Sequence, residues 1–130
     1  MAEIWTRQWV FGLLCAVFVL AAATAGAQDR KIAVAADGPD IDAAVSERTA
    51  RAPFILFFDG SGNLVESVEN PITVDRRAGH EMAQWLAAEH VDAIIGGSIG
   101  PRMGQALAAR QIHGIEKSGP VRDAVKDVLE

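Results

Sequence analysis

Hydrophobic positions recur along this chain in two rhythms. Short unbroken apolar runs alternate with stretches where apolar residues return every three or four positions. The first kind reads as a strand buried on both faces and the second as an amphipathic helix. Lys31-Ile-Ala-Val-Ala-Ala36 is a run of the first kind, stopped by Asp37-Gly38-Pro39. Residues Ile41 to Glu47 read as a short helix with Asp40 or Asp42 near its start. Pro53-Phe-Ile-Leu-Phe-Phe-Asp59 reads as a central strand. Pro53 can hold only its first position, because it has no N–H for the ladder. Gly60-Ser-Gly-Asn63 turns the chain and Leu64 to Glu69 returns, which predicts a β-hairpin over 53–69 closed off by Asn70-Pro71.

A polar loop over 72–78, carrying Asp75, Arg76 and Arg77, leads to a helix from about Gly79 to His90. Met82, Ala83, Leu86 and Ala87 share one of its faces. Val91 to Ile95 is another buried strand, broken at Gly96-Gly97-Ser98-Ile99-Gly100. Pro101 suits the first position of the next helix, where its missing N–H would be unbonded anyway. That helix runs to about Arg110, Ile112 to Glu116 is a last strand, and Gly119-Pro120 opens a final helix with Val121, Ala124, Val125 and Val128 facing inward. Late strands that alternate with helices argue for parallel pairing, and the hairpin adds an antiparallel member. The expected fold is α/β: a five-stranded mixed sheet with helices on both faces. The 130 residues leave room for one domain.

The first 27 residues are set apart from that pattern. An uncharged run from Trp9 to Ala23 follows a start bearing Glu3 and Arg7, and Thr24-Ala25-Gly26-Ala27 comes before Gln28-Asp29. A short apolar run followed by small residues two positions apart has the form of a secretory signal peptide cleaved after Ala27, leaving a domain over 28–130. The expected location is then secreted or periplasmic. The run of about 15 residues is shorter than the roughly 20 of a spanning helix. Left uncleaved and counted to Ala27, it would anchor the domain to a membrane. Cys15, the one cysteine, lies inside this segment. A mature chain without a thiol can form no disulfide, no cysteine zinc site and no cysteine-ligated iron–sulfur cluster.

The formal net charge is −5 and no block of Lys and Arg stands out after residue 30. Nucleic-acid backbones are held by clustered cations that release counterions, so this balance argues against a nucleic-acid partner. In open α/β sheets, ligands bind beyond the carboxyl ends of the parallel strands. Two loops meet that condition, Ala36-Asp37-Gly38-Pro39 and Gly96-Gly97-Ser98-Ile99-Gly100. The second pairs small residues with a helix start, whose free N–H groups and dipole favour an anion. It lacks the Lys-Ser/Thr ending of a phosphate-binding P-loop. Ser98 has no base beside it in sequence and no G-x-S-x-G elbow around it. His80 begins a helix after the polar loop, within reach of the crevice, as a metal ligand. His90 ends the same helix, roughly 15 Å away along its axis, so the two cannot share one ion. His90 and His113 lie near strand starts and read as structural, and Met103 as core filler. Asp37 with Asp40 or Asp42 is a candidate carboxylate cluster.

The pieces Lys31-Ile-Ala-Val-Ala-Ala-Asp-Gly38, Arg51-Ala-Pro-Phe54, Glu69-Asn-Pro71 and Val91-Asp-Ala-Ile-Ile-Gly-Gly-Ser-Ile-Gly-Pro101, followed by Ala106-Leu107 and Ile112, occur in an order that resembles the dinitrogenase iron–molybdenum cofactor biosynthesis family. That family includes NifX- and NafY-like carriers and the C-terminal domain of NifB. The resemblance implies a ribonuclease-H-like, three-layer α/β/α fold. It also implies binding of a metal–sulfur cofactor or its precursor without turnover. Many members carry His-Phe-Gly just before the Arg-Ala-Pro-Phe segment, and that histidine is the favoured cluster ligand. Here Arg48, Thr49 and Ala50 stand in its place. Arg48 stays protonated and cannot ligate a metal, but it can pair with an anion. The expectation is a carrier or sensor domain, not an enzyme, that takes a small anionic ligand or metal cofactor. Its site is expected from Asp37, Gly38, Arg48, Gly97, Ser98 and Gly100, with His80 over it. Two other readings are a protein-interaction module that has lost its ligand and a metal-dependent hydrolase.

Overall fold

The computed structural model describes residues 30–74 and 76–130; the expected signal segment, Cys15 and Asp75 lie outside them. Five strands are β1 (Lys31–Ala36), β2 (Phe54–Asp59), β3 (Leu64–Glu69), β4 (Ala93–Gly96) and β5 (His113–Glu116), and the α-helices are α1 (Ala78–Ala88), α2 (Pro101–Ala109) and α3 (Val121–Leu129). They form one sheet in the order β3-β2-β1-β4-β5. β2 runs antiparallel to both β1 and β3, whereas β4 runs parallel to β1 and β5 to β4. A 3-2-1-4-5 order with only the second strand reversed is the ribonuclease-H-like arrangement, and the expected α/β/α layering holds.

Side chains alternate across each strand, and both faces of the central strands are buried. Ala33, Ala35, Ile55, Phe57 and Ile94 pack with Met82, Ala83, Leu86, Met103 and Leu107 of α1 and α2. Ile32, Val34, Ala36, Leu56, Phe58 and Ile95 pack with Val121, Ala124 and Val125 of α3. Strands buried on two faces read as continuous apolar runs, which is why β1 and β2 are legible in sequence.

The segment Ile41 to Glu47 is not the short helix expected. Ala44 and Val45 make single β-bridges with Pro120 and Ala36, and a 3₁₀ turn follows at Thr49–Arg51. Half-buried Ile41 and Ala43 and buried Val45 alternate with exposed Asp42 and Ala44, a period of two rather than 3.6. The segment is thus drawn across the carboxyl end of β1, with the Ser46 N–H donating to Ala35 O at 2.8 Å and the Val45 N–H to Gly119 O at 2.8 Å.

The β2–β3 turn is held by Asp59, whose Oδ1 accepts the backbone N–H of Asn63 at 3.0 Å and of Ser61 at 2.9 Å. These donors, Asn63 first, hold its carboxyl below the usual 3.8. A depressed carboxyl contributes stability that is present above the unfolded-state value and lost as pH falls through the folded one. Asp59→Ala should therefore speed amide exchange at Ser61 and Asn63 at neutral pH. It should also remove the loss of protection at those amides that is expected of the unaltered chain as pH falls through the lowered Asp59 value, read by hydrogen exchange corrected for the intrinsic rate.

Candidate functional site

Beyond the carboxyl ends of β1 and β4 lies an open cleft of about 600 Å³, walled by residues 47–51 and the first turns of α1 and α2. Its position follows from two glycines. A Cβ on Gly96 would lie 2.8 Å from the Thr49 Cβ, and a Cβ on Gly97 would lie 2.7 Å from the Glu47 Cα. Real Cβ atoms do not come so close, so only glycine lets residues 46–49 lie flat on the end of β4. The Gly97 N–H then donates to Ser46 O at 2.8 Å. Thr49 is buried beside them, and its hydroxyl donates to Ser98 O at 2.7 Å.

The two helix starts meet on the other side. A Cβ on Gly79, the second residue of α1, would lie 2.7 Å from the Cβ of Met103, the third residue of α2. Neither N-cap residue, Arg77 or Gly100, caps its helix through a side chain. The first-turn N–H groups of a helix have no partner within it, and they carry the positive end of its dipole. Arg77 enters α1 in the left-handed region at φ 62°. A non-glycine residue held there stores strain, and such residues gather at functional sites.

Cationic side chains gather at this cleft. Arg48, Arg51, Arg77 and Arg102 line it, together with one carboxylate, Glu47, and with His80. Four guanidinium groups on one cleft of a chain whose net charge is −5 are a segregated cation cluster. Arginine presents a planar fork of donors suited to carboxylates and oxyanions, and it keeps its charge at any physiological pH.

Of the residues expected at the site, Arg48, His80, Ser98 and Gly100 line the cleft. Gly97 lies just beneath it and serves the seating of residues 46–49. Asp37 and Gly38 do not line it: residues 44–46 cross the end of β1 and leave them outside, with the Asp37 N–H donating to Ala44 O at 2.9 Å. Asp42 pairs with Arg122 at 2.7 Å, away from the cleft. Sequence reasoning did not find Arg51, Arg77, Arg102 or Glu47. Arg77 directly precedes α1 and Arg102 directly follows Pro101, so both flank helix starts that the pattern did place. Met103 is buried in the α1–α2 core although it touches the cleft.

The sequence matches the dinitrogenase iron–molybdenum cofactor family over residues 30–130. This chain belongs to that family. Solved structures agree. The apo form of the orange protein from Desulfovibrio gigas is 32% identical with a TM-score of 0.69, over 78% of this chain and 88% of that one. A Thermotoga protein described as a NifB protein, TM1290, is 29% identical with a TM-score of 0.64, over 76% and 86% of the two chains. PH0822, at 19% identity and a TM-score of 0.64 over 76% and 88%, shares the fold. A comparison with curated proteins gives no significant match.

A family of this name implies a metal–sulfur cargo, and the donor set can be tested against it. Among the described residues, no group of three His, Cys, Asp or Glu side chains is placed to hold a metal ion. Among the described residues, the cleft offers one imidazole, one carboxylate and four guanidinium groups. That set fits a cargo that carries its own ligands and a net negative charge. It does not fit a bare metal that needs several ligands from the protein.

Proposed function

We propose that this member of the family is an exported, non-catalytic carrier or sensor that holds an anionic cofactor, or a small anion, in the arginine-lined cleft. The observation that carries the reading is the convergence of Arg48, Arg51, Arg77 and Arg102 on two uncapped helix starts. Arg48 and Ser98 stand on one wall, and the two helix starts, with Arg77, His80, Gly100 and Arg102, form the other. Charge-assisted hydrogen bonds from these groups would hold the cargo, and the His80 imidazole can add a metal bond. Membership of a cofactor family supports the cargo class. Export is supported by the apolar segment Trp9 to Ala23 with its Ala25-x-Ala27 ending.

The purified protein, kept anaerobic, is titrated by calorimetry with an iron–molybdenum–sulfur cofactor and separately with molybdate and sulfate at low salt. Saturable binding of at least one is expected, weakened by added salt. Heat at the level of dilution for all three would end this reading. Protein recovered from its native compartment should begin at Gln28, and an intact residue 1 there would favour a membrane anchor.

A hydrolase of this fold would need carboxylates grouped where a divalent ion could sit. Asp37, Asp40 and Asp42 lie off the cleft, so nothing in its geometry favours that reading.

A further inference from the structure

We infer that Thr49 is a positioning residue for the anion site, acting through the Ser98–Ile99 peptide; the inference rests on the carrier reading above. Thr49 sits where the favoured histidine ligand's neighbour stands in the resembling family pattern, yet its side chain does not face solvent. It is 1% exposed, and its hydroxyl donates to Ser98 O at 2.7 Å. The same peptide is held from its other end, because the Ile99 N–H donates to a Glu116 carboxylate oxygen at 3.0 Å. One peptide plane is therefore pinned at both its carbonyl and its N–H.

That plane matters for its neighbours. Ser98 lies on one side of it, and on the other Ile99 leads into Gly100, the residue that opens α2. Ser98 and Gly100 both line the cleft, and so do Arg48 and Arg51, which flank Thr49 in sequence. A single buried hydroxyl thus ties the arginine-bearing segment to the loop that aims the α2 start. Gly96 is part of the device, because any side chain there would occupy the space of the Thr49 side chain. Holding donors in place before the ligand arrives removes the ordering term that otherwise weakens binding.

Two substitutions separate positioning from packing. Thr49→Val keeps the volume and removes the hydroxyl, whereas Thr49→Ser keeps the hydroxyl and removes a methyl group. Molybdate affinity at low salt and thermal unfolding without anion are measured for both variants and the unaltered chain. Positioning predicts about fivefold weaker binding for Thr49→Val, the equivalent of one net hydrogen bond. It predicts binding within twofold of the unaltered chain for Thr49→Ser, even where the lost methyl lowers its unfolding temperature. Equal affinity in all three, or a loss in Thr49→Ser larger than in Thr49→Val, overturns the inference while the cleft reading stands. Failure of the unaltered chain to bind the anion overturns both.

Discussion

Replacing Arg48 and Arg102 together by alanine should weaken anion binding about 30-fold at low ionic strength while leaving the protein at least as stable in anion-free buffer. The two arginines sit on different walls of the cleft, one on the segment seated on the end of β4 and one in the first turn of α2. Both are exposed, so each contact is taken at roughly 1 kcal/mol, below the roughly 1.5–3 kcal/mol usual for bonds to charged groups, and two of them give about 2 kcal/mol. The loss should shrink as salt rises, because exposed charges are screened beyond about 10 Å at 0.1 M. The stability half of the expectation has the opposite sign. Arg48 and Arg102 are exposed and share the cleft with further arginines, so removing these two like charges lowers repulsion when no anion is bound. A general folding defect would lower both affinity and unfolding temperature. Arg110→Ala is the control, since Arg110 donates to Ala106 O within its own helix and does not line the cleft. Calorimetric titration with molybdate and thermal unfolding of the three proteins decide the matter. A double variant that binds as well as the unaltered chain would place the anion elsewhere.

This cleft was half legible in the sequence, and the divide has a physical cause. Strands β1, β2 and β4 announce themselves because burial on both faces demands an unbroken apolar run, and the starts of α2 and α3 are marked by Pro101 and Pro120. The loop Gly96 to Gly100 was placed at a helix start on those signals alone, and with it Ser98 and Gly100. What a linear pattern cannot supply is the convergence of residues remote in sequence. Arg48, Arg77 and Arg102 are separated by strands and helices, so no basic block appears, and the overall charge of −5 hides them further. Asp37 and Gly38 lie outside the cleft for a related reason. They do end a strand at the ligand-binding edge of the sheet, but the path of residues 44–46 walls them off. That path departs from the expected helix because the spacing of Ile41, Ala43 and Val45 follows the period of an extended chain. The glycines also changed meaning. Gly97, expected at the ligand, makes room for Glu47.

That change of meaning gives the largest expected effect on folding. Gly97→Ala places a Cβ 2.7 Å from the Glu47 Cα and 2.8 Å from the Ser46 carbonyl oxygen. Both neighbours are backbone, so no flexible side chain can swing aside, and residues 46–49 must lift from β4. Overpacking of this kind typically destabilises by about 1–3 kcal/mol. For a domain of this size that is a fall in unfolding temperature on the order of 10 °C. Gly100→Ala, three residues away in the same loop, meets nothing within 4 Å and keeps an ordinary φ of −67°. It should lower stability by under about 1 kcal/mol, the difference between glycine and alanine at an N-cap. In an anion titration done on folded protein both variants should bind more weakly, Gly97→Ala because the lifted segment carries Arg48 out of place. Gly100→Ala puts a methyl group on the residue that lines the cleft, against the space its backbone leaves open. It should therefore weaken binding more than its small effect on unfolding would suggest. If instead both variants unfold alike, steric seating of residues 46–49 is not what these glycines provide, and the placement of Arg48 needs another explanation.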